Sequence, residues 1–205
     1  MGVMQIIAIT DVNRKEAIRF ANWAFLWEFC DPGKEIASDP RYMDERKLTT
    51  SRYWAMLNET GKVIGVTGIC DVEGEDPKNC YLGFFILDKS QRGKGLGKQL
   101  LTFTEDQARL LGKRHMRVLT STFIPYAGGR ALYSRSGYKI IATKNRNLTW
   151  HVRRSAVLPE KVRRSVSDQY NWYLRLGITT TFRKKAGRLF PQLVNRMLIF
   201  EKKLL

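Results

Sequence analysis

Between residues 92 and 98 the chain reads Arg92-Gly93-Lys94-Gly95-Leu96-Gly97-Lys98. Glycine at alternate positions strips side chains from a turn that opens a helix, so successive backbone N–H groups can converge on an anion at the helix's positive end. Arg92, Lys94 and Lys98 add mobile positive charge around it. The natural guest is a phosphate or pyrophosphate. Two familiar phosphate loops fit poorly. A nucleotide P-loop needs GxxxxGK[ST], whereas Lys98 is followed by Gln99 and no glycine stands five residues before Gly97. A dinucleotide fold needs GxGxxG in its first strand–helix unit, and this turn is GxGxG behind several antiparallel-looking strands. Taken alone, the hexapeptide also suits tight strand–helix packing.

Such a turn has to be held by its flanks. Before it, Cys80-Tyr81-Leu82-Gly83-Phe84-Phe85-Ile86-Leu87 is a nearly unbroken apolar run, as a central strand buried on both faces requires. After it, Leu96, Leu100, Phe103 or Thr104, Ala108 and Leu111 form the core stripe of a helix that Gly112 closes. Upstream, the isoleucine-rich stretch Gln5 to Thr10 reads as an opening strand, with Asp11 as N-cap for a helix over Asn13 to Phe29. Residues 35–46 read as a loop or short helix. Strands at Arg52 to Leu57 and Lys62 to Val72 meet through the hairpin turn Asn58-Glu59-Thr60-Gly61. Downstream come a strand from His115 to Phe123, a short helix from Gly129 to Arg135 ending at Gly137, and a strand beginning at Lys139.

Arg92-Gly93-Lys94-Gly95-Leu96-Gly97 in this strand–turn–helix setting resembles the R/Q-x-x-G-x-G/A signature of the GNAT acetyltransferase superfamily. Tyr133-Ser134-Arg135-Ser136-Gly137-Tyr138 is similar to that family's Y-x-x-x-G-F ending of its last helix. The resemblance covers residues 5–143 and implies an α/β (α+β) fold: a central mixed, mostly antiparallel sheet flanked by helices, binding acetyl-CoA. It further implies that backbone groups of Phe85, Ile86 and Leu87 pair with the pantetheine arm like an added strand. Amides of Arg92, Gly93, Lys94, Gly95, Leu96, Gly97 and Lys98 would take the pyrophosphate. Tyr133 would lie near the CoA sulfur and protonate the departing thiolate; the same residue also fits as a core aromatic on an amphipathic helix. The chain departs from the family at Tyr126, where asparagine is frequent, and at Gly129, where alanine is usual.

Transfer from a thioester to an amine needs a neutral nucleophile, a donor for the tetrahedral oxyanion and a proton source for sulfur. A backbone N–H of Ile86 or Leu87 is the expected oxyanion donor. The base is not evident. Some members of the family carry a glutamate on the central strand, at about the position of Tyr81 here. Glu28, Asp71 and Glu73 stand on neighbouring elements, each also readable as a solvated surface acid, and a water chain could serve instead.

The chain has 205 residues, enough for one ordinary domain with an appendage. Nothing in it resembles a membrane span. Cys30, Cys70 and Cys80 are an odd set without CxxC spacing, which argues against a disulfide framework and points to a reducing cytoplasm. His115 and His151 form no HExxH pair, so no metal is expected. The net charge of +17 is uneven: residues 139–205 hold 16 Lys and Arg against three Asp and Glu. Such an end suits a polyanionic partner such as RNA, a ribosomal particle, DNA or an acidic protein, and equally a solvated charged face.

Two readings of this end stand side by side. In the first, which the sequence favours, Asn145-Arg146-Asn147 turns into a strand at Leu148 to Val152, the catalytic domain spans 1–154, and 155–205 is a basic helical extension. Pro159 then opens one helix, and Pro191 opens another carrying Leu193, Val194, Met197 and Phe200. In the second, the closing strand is 197–203 and the preceding segment is an insertion. The function so expected is acetyl transfer from acetyl-CoA to a primary amine; the alternative is a nucleic-acid- or ribosome-binding protein with a CoA-binding core of reduced activity.

Overall fold

A long hairpin organises the chain. The computed structural model describes residues 4–24, 32–121, 126–145 and 196–204. In it β2 (Leu48–Leu57) and β3 (Val63–Val72) pair antiparallel across a turn in which Gly61 takes a φ of 76°. β1 (Gln5–Ala8) joins the free edge of β2. On the other side follow β4 (Asn79–Leu82), the two-residue β5 (Ile86–Leu87), β6 (His115–Ser121), β7 (Lys139–Asn145) and β8 (Arg196–Lys203). The resulting eight-stranded sheet runs β1-β2-β3-β4-β6-β8-β7, with β5 also on β3. Among the described residues only β4 and β6 pair in parallel; every other pair is antiparallel.

The two faces of the hairpin are sorted by alternation. Tyr53, Ala55, Val66 and Cys70 are buried with Ala17 and Ala21 of α1 (Arg14–Ala24) and Ile36 of α2 (Pro32–Ile36). α3 (Pro40–Arg46) follows, capped by Asp39, whose side chain accepts from the Tyr42 N–H at 2.9 Å. The region read as a loop or short helix therefore holds the end of α2 and all of α3. The start of α1 also differs from expectation: Asn13, rather than Asp11, bonds the Thr10 N–H at 2.8 Å, and Asp11 pairs with Arg14.

On the opposite face α4 (Leu96–Leu110) buries Leu96, Leu100, Leu101, Thr104 and Ala108 against Met56, Ile64 and Ile69. Thr104 and Thr67 of β3 bond hydroxyl to hydroxyl at 2.7 Å in full burial. Thr67→Val is expected to cost about 1 kcal/mol, since Thr104 keeps a second partner in the Leu100 carbonyl. The measurement is a lowered urea midpoint with an unchanged slope.

Two expectations about strands are corrected. The apolar run Cys80 to Leu87 is two strands, because the backbone leaves the ladder at Gly83–Phe85. The sheet is closed by Arg196–Lys203, inserted between β6 and β7, as in the second reading of the C-terminal part. A helix over Met197 and Phe200 is excluded: Leu198 and Phe200 are both buried, the period of two that a strand demands. Residues 148–152 and the helix expected after Pro159 lie outside the described residues. β8 is tied to α4 by Lys202 on buried Glu105 at 2.7 Å and by Arg109 on the Leu204 carbonyl at 2.7 Å. No helix among the described residues is long and apolar enough to cross a membrane.

Candidate active site

The parallel pair β4–β6 is short. It runs from Asn79↔His115 to Tyr81↔Arg117 and stops there. Beyond it the chain of β4 turns aside at Gly83–Phe85 and resumes on β3 as β5, while β6 continues along β8 to Ser121. The sheet thus opens into a gap between Gly83–Leu87 and Val118–Ser121, where backbone groups of both walls have no strand between them.

Alternation decides which groups face that gap. The Asp88 N–H donates to the Ile64 carbonyl at 2.8 Å, and Ile86 is registered with Val66 two residues back. Residues 86 and 88 therefore spend their backbone bonds on β3, and the intervening Leu87 turns its N–H and carbonyl outward. Of the two oxyanion donors expected from sequence, Leu87 faces the gap and Ile86 does not. The Leu87 carbonyl accepts the Arg92 Nε–H at 3.2 Å, which brings that guanidinium to the mouth.

The glycine turn stands at the same mouth. Asp88 caps the 3-10 turn Lys89–Gln91, accepting from the Ser90 N–H at 2.8 Å and the Ser90 hydroxyl at 2.7 Å. These bonds hold the Asp88 carboxyl below the ordinary aspartate value of 3.8. The cap is thus strongest with Asp88 ionised and weakens as pH falls through its lowered pKa. Ser90→Ala removes the largest cause, and the Asp88 pKa is expected to move part of the way back up, as followed by carboxyl carbon NMR. Gly93 and Gly95 then adopt φ values of 78° and 81°, the left-handed region that glycine enters without cost. Gly95 is the N-cap of α4 and offers no side-chain cap, so the N–H groups of Leu96 and Gly97 remain for a ligand. Two amides expected from sequence are engaged instead, that of Lys98 with the Gly95 carbonyl at 3.0 Å and that of Arg92 with the Lys89 carbonyl at 3.3 Å.

Gly97 differs from Gly93 and Gly95: it has no positive φ, and a side chain there would meet Leu132 Cδ2 of α5 (Ala127–Arg135) at 3.6 Å, ordinary contact. Arg92, Lys94 and Lys98 are exposed around the turn, with Lys94 bonded to Gln91 at 3.1 Å, while Leu96 is buried.

Tyr133 lies on α5, 6% exposed. Its ring meets Phe85 edge-on with centroids 6.2 Å apart, and packs on Tyr138 and Phe200 at 5.9 and 6.0 Å. Phe85 and Tyr133 thus touch across the two expected halves of the site. A methyl on Gly129 would lie 3.6 Å from the Tyr133 ring, ordinary contact, so the departure from alanine there changes little.

The carboxylates proposed from sequence stand elsewhere. Asp71 pairs with Lys113 at 2.7 Å and accepts from Thr50 at 2.9 Å; Glu73 pairs with Lys47 at 3.4 Å. Both lie past the Cys70↔Tyr81 pair, toward the closed end of the sheet. Glu28 is outside the described residues. Tyr81 is engaged by Glu75 at 3.0 Å and by Arg117.

A carboxylate that sequence reasoning missed is Glu35 of α2, 7% exposed, against Tyr53 and Cys70 beneath the bulge. Nothing in a polar stretch distinguishes it from its solvated neighbours.

Residues 8–138 match the model of the acetyltransferase (GNAT) family, and this chain belongs to that family. YjgM of Escherichia coli (strain K12), named an uncharacterized N-acetyltransferase, is 34% identical over 115 residues, 54% of this chain and 66% of that one. The chain thus spans just under two thirds of the length of that relative. Among solved structures, yncA of Salmonella typhimurium with its cofactor acetyl-CoA superposes with a TM-score of 0.60 at 15% identity, covering 99% of this chain and 95% of that one. The IAA acetyltransferase from Bacillus cereus ATCC 14579 gives 0.58 at 18% identity, over 98% and 99%. At such identities these structures speak to the fold, an eight-stranded mixed sheet flanked by helices, as expected from the sequence.

Proposed function

We propose that this protein is an acetyl-CoA-dependent N-acetyltransferase acting on a primary amine. The observation that carries the reading is the gap between β5 and β6, with an uncapped, glycine-opened helix N-terminus at its mouth. The amides of Gly93 to Gly97 hold the pyrophosphate, with the side chains of Arg92, Lys94 and Lys98 around it, and the free edge from Phe85 to Leu87 receives the pantetheine arm as a strand would. The acetyl carbonyl then takes the outward N–H of Leu87 as oxyanion donor, and Tyr133 returns a proton to the CoA sulfur.

Direct transfer suits the described cysteines. Burial pushes the Cys80 thiol up to about 12 and holds Cys70 well above its ordinary value. Neither supplies the thiolate that an acyl-cysteine intermediate needs, and Cys30 lies outside the described residues.

For the acceptor, the connection between β7 and β8 is informative. Asn145 and Arg196 are paired neighbours at the end of the sheet where the gap opens, since Met197 registers with Ser121. The 50 residues between them hold 11 Lys and Arg against two Asp and Glu. Amines carried on polyanions are therefore the first acceptors to try, and we take 146–195 as an insertion in one domain. The test is incubation with labelled acetyl-CoA and a lysate, followed by mass spectrometry, with thermal unfolding recorded with and without acetyl-CoA. Protection by acetyl-CoA and a labelled amine are expected. No protection overturns the donor assignment; protection without any labelled product, with salt-sensitive retention on RNA, favours a binding protein on the same core.

A further inference from the structure

Tyr53 occupies a slot that two glycines leave for it. It stands opposite Gly68 in the β2–β3 register, and a methyl on Gly68 or on Gly83 would overlap its ring or hydroxyl. Besides a long contact with Cys70 Sγ at 3.9 Å, the hydroxyl makes two bonds of opposite sense. It donates to Glu35 Oε1, and it accepts the Phe84 N–H at 3.0 Å. Glu35 also accepts from Cys70 Sγ at 3.2 Å. Tyr53 is 5% exposed and Glu35 7%. Burial first, with Cys70 and Glu35 adding to it, raises the Tyr53 pKa well above 10.0, so the hydroxyl keeps its proton.

A buried carboxylate is a poor means of stabilising a core, because apolar groups of equal volume do as well or better. What it achieves here is direction. A tyrosine hydroxyl has one proton; once Glu35 takes it, a lone pair is left for one amide. That amide belongs to Phe84, in the middle of the bulge and outside the ladder. Gly83 bonds back to the Gly68 carbonyl at 2.9 Å and Ile86 to β3, so the segment between them is fixed at both ends and at its centre. With Phe84 drawn toward the α1–α2 face, Phe85 goes to the other face and meets Tyr133.

We propose that Tyr53 and Glu35 are positioning residues for the thioester site, holding the Gly83–Phe85 bulge so that the Phe85–Leu87 edge and the Phe85–Tyr133 contact are set before the cofactor arrives. This rests on the CoA reading of the gap. Tyr53→Phe keeps the ring in its slot and removes the hydroxyl, with the bond it donates to Glu35 and the one it accepts from Phe84. CoA affinity by calorimetry is expected to fall about 10-fold, and the Phe84 amide to exchange with solvent about 10-fold faster by NMR. Glu35→Leu repeats this phenotype, and Glu35→Gln, which retains an acceptor oxygen, largely escapes it. Cys70→Ala, which removes the bond to Glu35 and the long contact with the Tyr53 hydroxyl but no hydrogen bond to the bulge, lowers thermal stability and keeps affinity within about 2-fold; a purely structural cluster would move both together. Wild-type affinity in Tyr53→Phe, or an unchanged Phe84 exchange rate, overturns the proposal. A wild-type protein that binds no CoA overturns the donor reading instead, and the exchange comparison still decides whether Tyr53 holds the bulge.

Discussion

Tyr133→Phe is expected to slow acetyl transfer by about 10²–10⁴-fold, the range for loss of a positioned proton donor. Affinity for acetyl-CoA should stay within about 2-fold, because the ring and its contacts with Phe85, Tyr138 and Phe200 are retained. The comparison separates the two roles this residue can hold. A buried aromatic that only packs loses nothing essential with its hydroxyl, whereas a donor to sulfur loses the atom that does the work. Measured as kcat with the first amine that accepts label, equal turnover in the variant would remove Tyr133 from the mechanism.

The second large effect is on binding. Gly95→Asp is expected to weaken acetyl-CoA by about 100-fold, read by calorimetry, with the fold retained by far-UV dichroism. Two terms add. At φ of 81° a side chain costs about 1–2 kcal/mol, and a carboxylate at the uncapped start of α4 competes with the pyrophosphate for the same N–H groups. Gly97→Ala is the contrast: without a positive φ, it meets only Leu132, so a loss far below that of Gly95→Asp is expected.

How much of this could be read from residues alone follows from the range of each signal. The glycine turn and the Tyr133 helix are local patterns, and both were legible. The break in the central strand was not, because Cys80 to Leu87 is apolar throughout and an unbroken apolar run carries no alternation to mark where the backbone leaves the ladder; Gly83 between bulky neighbours was the available hint. The closing strand stands only as the second of two readings because Met197, Phe200 and Leu204 satisfy a helical period as readily as Leu198 and Phe200 satisfy an extended one. Only the partners β6 and β7 decide between them. Glu35 carried no signal at all, since its burial arises from α2 packing over Tyr53, a contact across 18 positions of sequence.

The antiparallel pair β7–β8 has one more consequence. Past a register shift at Ile141 its two strands face each other residue for residue up to Asn145↔Arg196, as the arms of a hairpin would. Lengthening such a connection from two residues to 50 costs only about 3 kcal/mol of closure entropy. Chain statistics thus set little penalty on the length of segment carried there, and the paired strands fix where it leaves the sheet and where it returns.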